Sequence, residues 1–167
     1  RRSGGVGGYS WTKEPHDEEN IMLDCHLFTW KPDLWHWETI DQDAAASRSG
    51  QTVVHQWSCG RIKNITSGSR GLLIRLGTDR PALIGVGTVA TEPVEGPHWD
   101  EARAAAGERS MFISLELRYF DPEGFVSLED LQSRWPDVRW TPQQSGTRVP
   151  SAIGHVLESE ARRAWKS

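Results

Sequence analysis

Apolar residues in this chain fall mostly in short unbroken runs. Leu23-Asp24-Cys25-His26-Leu27-Phe28-Thr29-Trp30 reads as a buried strand. It closes at Lys31-Pro32, since proline cannot continue a central ladder. Gly71–Gly77 and Leu83–Ala90 are two more such runs, joined by a Thr78-Asp79-Arg80-Pro81 turn. Gly85 and Gly87 inside the second run predict a bulge or a close approach of another backbone, as at a barrel corner. Val53-Val54 leads into a further segment, Gln56 to Ile65. Met111 to Phe120 alternates well enough for a strand.

Helical signals are fewer. Asp33 looks like the N-cap of a helix carrying Leu34, Trp35, Trp37 and Ile40 and running to Ala45. Asp100 predicts a cap for Glu101 to Ala106, ended by Gly107. Ser127-Leu128-Glu129-Asp130 carries a capping signature for a helix to Arg134. Ser151 opens a C-terminal helix with Ile153, Val156, Leu157 and Ala161 on one face. Ser47–Gln51, Thr91–Pro97 and Trp140–Pro150 read as loops. The expected class is α+β: a mixed sheet of about five or six strands curled into a barrel, with short helices outside. Residues 1–20 have flexible-linker composition, and 21–167 form the expected domain.

The length of 167 residues suits one domain with a sizeable core. Nine tryptophans against two tyrosines and four phenylalanines exceed what such a core needs, so some are expected on a ligand with a flat π-face. Net charge is −4, mildly against a simple nucleic-acid binder. Between Ala44 and Thr91, however, Arg48, Arg61, Lys63, Arg70, Arg75 and Arg80 face only Asp79. That basic middle predicts either a basic face or scattered solvated charges. Two cysteines without a CxxC give no disulfide framework, and a cytoplasmic home follows. Apolar runs stay well below the roughly 18 residues that span a bilayer, so no membrane partner is expected.

The chemistry concentrates in Gln56-Trp57-Ser58-Cys59-Gly60-Arg61-Ile62-Lys63-Asn64-Ile65. It reads as the lip of a pocket, with Trp57 as a wall and Ser58 and Cys59 as lining. It also fits an ordinary loop with one tryptophan in the core. Trp99, and with it Trp30 or Trp140, sits at a strand edge beside a loop and can add a wall. Two such walls sandwich a nucleobase at about 1–3 kcal/mol per stacked base. Ser58, Gln143 and Ser145 can read base edges. Lys31, Arg48, Arg61, Lys63 and Arg75 are the candidate phosphate contacts. His55 and Cys59 lack a second pair at zinc-ligand spacing, and no catalytic or cofactor motif is present, so neither metal nor cofactor is expected. A small enzyme using Cys59 as nucleophile is the rival class, and needs a depressed thiol pKa.

Several motifs taken together are fairly specific. They are F-T-W-x-P-x-x-W-x-W from Phe28, W-S-C-G-R-x-K-x-I from Trp57, the G-x-G-T-V strand, Pro97-His98-Trp99-Asp100 and the Ser145-Gly146 loop. From about Leu23 to Val156 the chain resembles the EVE domains of the PUA-like superfamily. The resemblance is strongest to the N-terminal modules of modification-dependent HNH endonucleases. EVE domains are similar to YTH readers of methylated adenine in RNA. The resemblance implies a β-barrel that flips 5-methylcytosine or 5-hydroxymethylcytosine out of duplex DNA. Trp57 and Trp99 then correspond to the cage tryptophans, and Ser58 follows the first of them. It implies double-stranded DNA as partner, with an HNH nuclease domain C-terminal in the full-length protein. A modified base in RNA is the alternative ligand. Ser69-Arg70 departs from the family's usual Asp-Arg, at a turn position.

Overall fold

The computed structural model describes residues 22–166. The flexible segment expected over 1–20 lies outside them. Strands β1 (Cys25–Trp30), β2 (Val53–Gly60), β3 (Arg70–Arg75), β4 (Ala82–Val89), β5 (Val94–Pro97), β6 (Arg109–Phe120), β7 (Val126–Ser127) and β8 (Thr147–Val149) form one sheet. Its order is β2-β6-β4-β3-β1-β8, with β5 on β6 and β7 on β4. Only β1 and β3 pair in parallel among these ladders. Helices α1 (Ile40–Arg48), α2 (Glu101–Ala105), α3 (Leu128–Arg134) and α4 (Ser151–Lys166) complete the described chain. Among the described residues no helix is long and apolar enough to cross a membrane.

The sheet is buried on both sides, which explains the unbroken apolar runs. Successive side chains of a strand point to opposite faces. Leu27, Leu72, Ile74, Leu83 and Val86 therefore join one core with Trp140 and with Leu157 and Ala161 of α4. Phe28, Leu73 and Ile84 join the other, with Trp30, Trp37, Trp57, Leu115, Leu117 and Phe120. This second core takes side chains from β1 and from β2, near opposite ends of the strand order. The sheet must curl to bring them together, and the Trp57 Nε1–H donates to the Thr29 carbonyl at 3.0 Å across that gap.

Gly87 marks the corner foreseen from the sequence. A Cβ there would sit 1.8 Å from the Glu116 carbonyl oxygen, and the β4–β6 register shifts beside it. Other expectations need correction. Eight strands exceed the five or six expected, because three short ones fall in stretches too brief to show alternation. Val94–Pro97 was expected as loop yet pairs with Arg109–Phe112, and Thr147–Val149 pairs with β1.

The helix expected from Asp33 starts instead at Ile40. Leu34, Trp35 and Trp37 have helical spacing, but the chain makes a single turn there that does not continue into a helix. Leu34 and Trp35 N–H both donate to the Lys31 carbonyl, and the Trp30 indole takes the Trp35 carbonyl at 2.9 Å. The caps at Asp100 and Ser127 are as expected: each accepts the backbone N–H three residues on, at 3.1 Å. On α4, Val156 is exposed while Leu157 and Ala161 are buried.

Candidate functional site

An open cleft of about 570 Å³ lies where β2, β1, the β5–α2 turn and the 143–146 loop meet. Of the residues singled out by sequence, Trp30, Lys31, Trp57, Ser58, Arg61, Trp99, Gln143 and Ser145 line it. They come from four separate segments.

Each side chain is placed by local geometry. β2 alternates, so Val53, Trp57 and Cys59 turn inward while Gln56 and Ser58 do not. The β2–β6 register shifts between Ser58 and Gly60. Trp57 is only 7% exposed and is both core and cleft floor. Its indole N–H, bonded to Thr29, fixes the ring before any ligand arrives. Trp99 is 42% exposed, on the rim, beside the His98 ring at 5.1 Å. Asp100 caps α2 and takes the next turn, and its own N–H donates to His98 Nδ1 at 3.0 Å.

The 143–146 loop is tied to β1. Gly146 N–H donates to the Leu27 carbonyl at 2.7 Å, and His26 Nδ1 lies 2.8 Å from the Gly146 carbonyl. Burial keeps the His26 imidazole below its usual pKa, hence neutral. Ser145 Oγ accepts from the Thr29 N–H at 2.9 Å and meets Thr29 Oγ1 at 3.1 Å. Gly60, at φ +63°, gives Gln144 its place: a Cβ there would stand 2.7 Å from Oε1 of Gln144.

Hydroxyls and cations supply the polar part. Ser58 Oγ and Ser110 Oγ are 2.7 Å apart at the cleft wall. Four cations line the cleft, Lys31, Arg61, Arg103 and Arg109, against one carboxylate, Glu108. Arg103 is held by Glu108 at 3.0 Å, and Arg109 by Glu95 at 3.4 Å. Lys31 and Arg61 make no ion pair among the described residues. They are the charges left for an anionic ligand.

Five sequence candidates are not among the residues lining the cleft. Cys59 is buried beside the bulge, and its thiol points at the Ile62 carbonyl at 3.6 Å. Burial pushes that thiol up to about 11, opposite to what a nucleophile needs. Trp140 is 1% exposed, in the other core, and donates to the Trp135 carbonyl. Arg48 pairs with Asp121 at 3.3 Å. Arg75 donates to the Pro122 and Arg80 carbonyls. Lys63 is exposed beyond the cleft. The basic middle of the chain is thus scattered, and Arg70 is buried against Glu158 at 2.6 Å.

Sequence reasoning missed Thr29, Leu34, Trp35, Gln144, Ser110, Arg103 and Arg109. Trp35 is the notable one: it is 39% exposed and meets Trp57 edge-on at 5.4 Å. The F-T-W-x-P-x-x-W spacing holds the signal, but it is equally the spacing of a helix.

Neither a family model nor a curated protein matches the chain. Solved structures do. A hypothetical protein from Leishmania major superposes with a TM-score of 0.53 at 15% identity, over 87% of this chain and 99% of that one. Human THYN1, solved in complex with DNA containing 5-methylcytosine, gives 0.52 at 14% identity, over 82% and 97%. A Rhodopseudomonas palustris protein gives 0.52 at 15%, over 84% and 94%. The fold is PUA-like. It is α+β, and in this PUA-like barrel the cleft opens where the curled sheet's β2 edge approaches β1 and the 143–146 loop.

Proposed function

We propose that this PUA-like domain is an EVE-type reader of modified cytosine in double-stranded DNA. The observation that carries the reading is the meeting of Trp57 and Trp99, 42 positions apart in sequence, at one open cleft. Trp57 is a floor fixed in advance, and Trp99 is a partly exposed ring on the rim. Flipping a cytosine costs a few kcal/mol of unstacking, and each stacked face returns about 1–3 kcal/mol. Two rings therefore offset the cost, and edge contacts decide selectivity.

Ser58, Ser145 and Gln143 supply those edge contacts, with the Ser110 hydroxyl behind Ser58. Lys31 and Arg61 hold backbone phosphates, which give affinity without sequence information. Support also comes from THYN1, of the same fold, whose partner in its structure is methylcytosine-containing DNA. By the motif resemblance, the domain serves as the recognition module of a modification-dependent HNH endonuclease acting in the cytoplasm. 5-Methylcytosine and 5-hydroxymethylcytosine are its two candidate ligands.

Gel shifts with unmodified, methylated and hydroxymethylated duplexes test the reading, with matching RNA as competitor. The expected result is binding of one modified duplex at least about tenfold tighter than the unmodified one, a difference of about 1.4 kcal/mol. Equal affinity for all three duplexes overturns it, and preference for the RNA moves the function to an RNA reader.

A further inference from the structure

We propose that the Lys31–Trp35 turn is a wedge that enters the duplex base stack where the modified base leaves it. This rests on the reader function above. Leu34, at the tip, is 61% exposed, and Trp35 behind it is 39% exposed. Both line the cleft mouth beside Trp57.

A lone exposed leucine needs no explanation. This one stands on a turn that is tied to the core beneath it while its tip stays outside. Leu34 and Trp35 N–H both donate to the Lys31 carbonyl, at 2.9 and 3.2 Å. Pro32 presets the turn's φ. The Trp30 indole grips the Trp35 carbonyl at 2.9 Å. The Trp35 ring is braced edge-on by Trp57 at 5.4 Å and by the tilted Trp37 ring at 5.7 Å. The result is a fixed apolar point with an aromatic base.

The occupant follows from charge. Lys31 at the foot of the turn and Arg61 at the end of β2, both lining the cleft, have no carboxylate partner among the described residues. An apolar tip sharing one cleft with two cations that have no carboxylate partner among the described residues matches a base step flanked by phosphates. Proteins that insert apolar side chains between base steps offset unstacking in this way. Here the tip would fill the gap left by a base drawn into the adjoining cleft, so wedge and pocket act on one nucleotide.

The test uses Leu34→Ala and Leu34→Met. Each is titrated with a duplex holding one 5-methylcytosine and with the same modified strand alone. A single strand has no stack to fill. Leu34→Ala is expected to weaken duplex binding by about tenfold and single-strand binding by less than about twofold, while Leu34→Met keeps both. The methylated-to-unmodified ratio in the single strand should not change. Equal loss on duplex and single strand, no loss on either, or a Leu34→Met loss as large as that of Leu34→Ala overturns the wedge and leaves the reader standing. Failure of the wild-type protein to distinguish methylated from unmodified DNA removes the reader, and the wedge with it.

Discussion

Two regions of this domain combine tryptophan with arginine, and they differ in how far their rings are exposed. At the cleft, Trp35 and Trp99 are exposed, and Lys31 and Arg61 have no ion-pair partner among the described residues. On the far side a groove of about 390 Å³ lies by Trp135, with Arg134, Arg139 and Arg148 along it. There two of the three arginines are engaged, and Arg139 has no ion pair among the described residues. Arg134 stacks on Trp135 at 4.2 Å and is held by Glu160 and Asp130. Arg148 pairs with Asp24 at 3.3 Å. The Trp140 indole donates to the Trp135 carbonyl. Aromatic and basic content alone therefore does not mark a site. What separates the two regions is that the cleft exposes two tryptophan rings, while Trp135 is half-buried and Trp140 fully buried.

The sharpest way to break that contrast is to truncate tryptophans on both sides. Trp140→Ala is expected to lower stability by about 3–5 kcal/mol and leave the DNA affinity of the folded fraction unchanged. Trp99→Ala is expected to do the reverse: stability within about 0.5 kcal/mol of wild type, and about 1–3 kcal/mol of binding lost. Trp57→Ala should show both losses, since that ring belongs to the core and the cleft alike. Urea melts beside binding titrations separate these outcomes. A Trp140→Ala protein that folds normally but loses DNA would erase the distinction.

A smaller effect is expected from the arginines. Arg61→Ala should weaken all duplexes about equally and reduce the log–log salt slope by about one. Arg75→Ala should leave that slope alone, because its guanidinium is used on the Pro122 and Arg80 carbonyls. Equal slopes for the two variants would show that the cleft is not where phosphate sits.

The smallest effect concerns acid. Burial opposes ionisation of Asp43, but hydrogen bonds from Thr39, His55 and Trp37 outweigh it and hold the carboxyl below its usual value. On the far side the Arg134 hydrogen bond does the same for Glu160, against burial. A depressed folded-state pKa means stability that is present above the unfolded value, about 3.9 for Asp and 4.3 for Glu, and lost as pH falls through the folded one. Asp43→Asn and Glu160→Gln should each flatten the stability loss below about pH 4, by on the order of 1 kcal/mol. Only the Asp43 change should also disturb binding, since its partner Trp37 packs on both Trp35 and Trp57. Thermal melts from pH 3 to pH 7 check the first part.

Much of the strand framework was legible because burial on both faces writes itself as unbroken apolar runs, as at Leu72–Ile74 and Leu83–Ile84. The caps at Asp100 and Ser127 were legible because they depend on residues three positions apart. The Gly87 corner was legible because no other residue tolerates a carbonyl at that distance. The turn at Leu34–Trp35 was not. Its spacing is that of a helix, but the chain makes a single turn there that does not continue into one.

Residue types along the chain thus determined that there would be a curled mixed sheet and that tryptophans would outnumber the needs of its core. They could not determine which indoles reach solvent, because exposure depends on strands brought together from distant positions. Trp57 and Trp140 look alike in sequence, each flanked by polar residues. The curl of the sheet places one at the floor of an opening and packs the other against α4. Tertiary structure likewise decided which cations stay unpaired, since the carboxylates that neutralise Arg48, Arg70 and Arg148 lie far away in the chain.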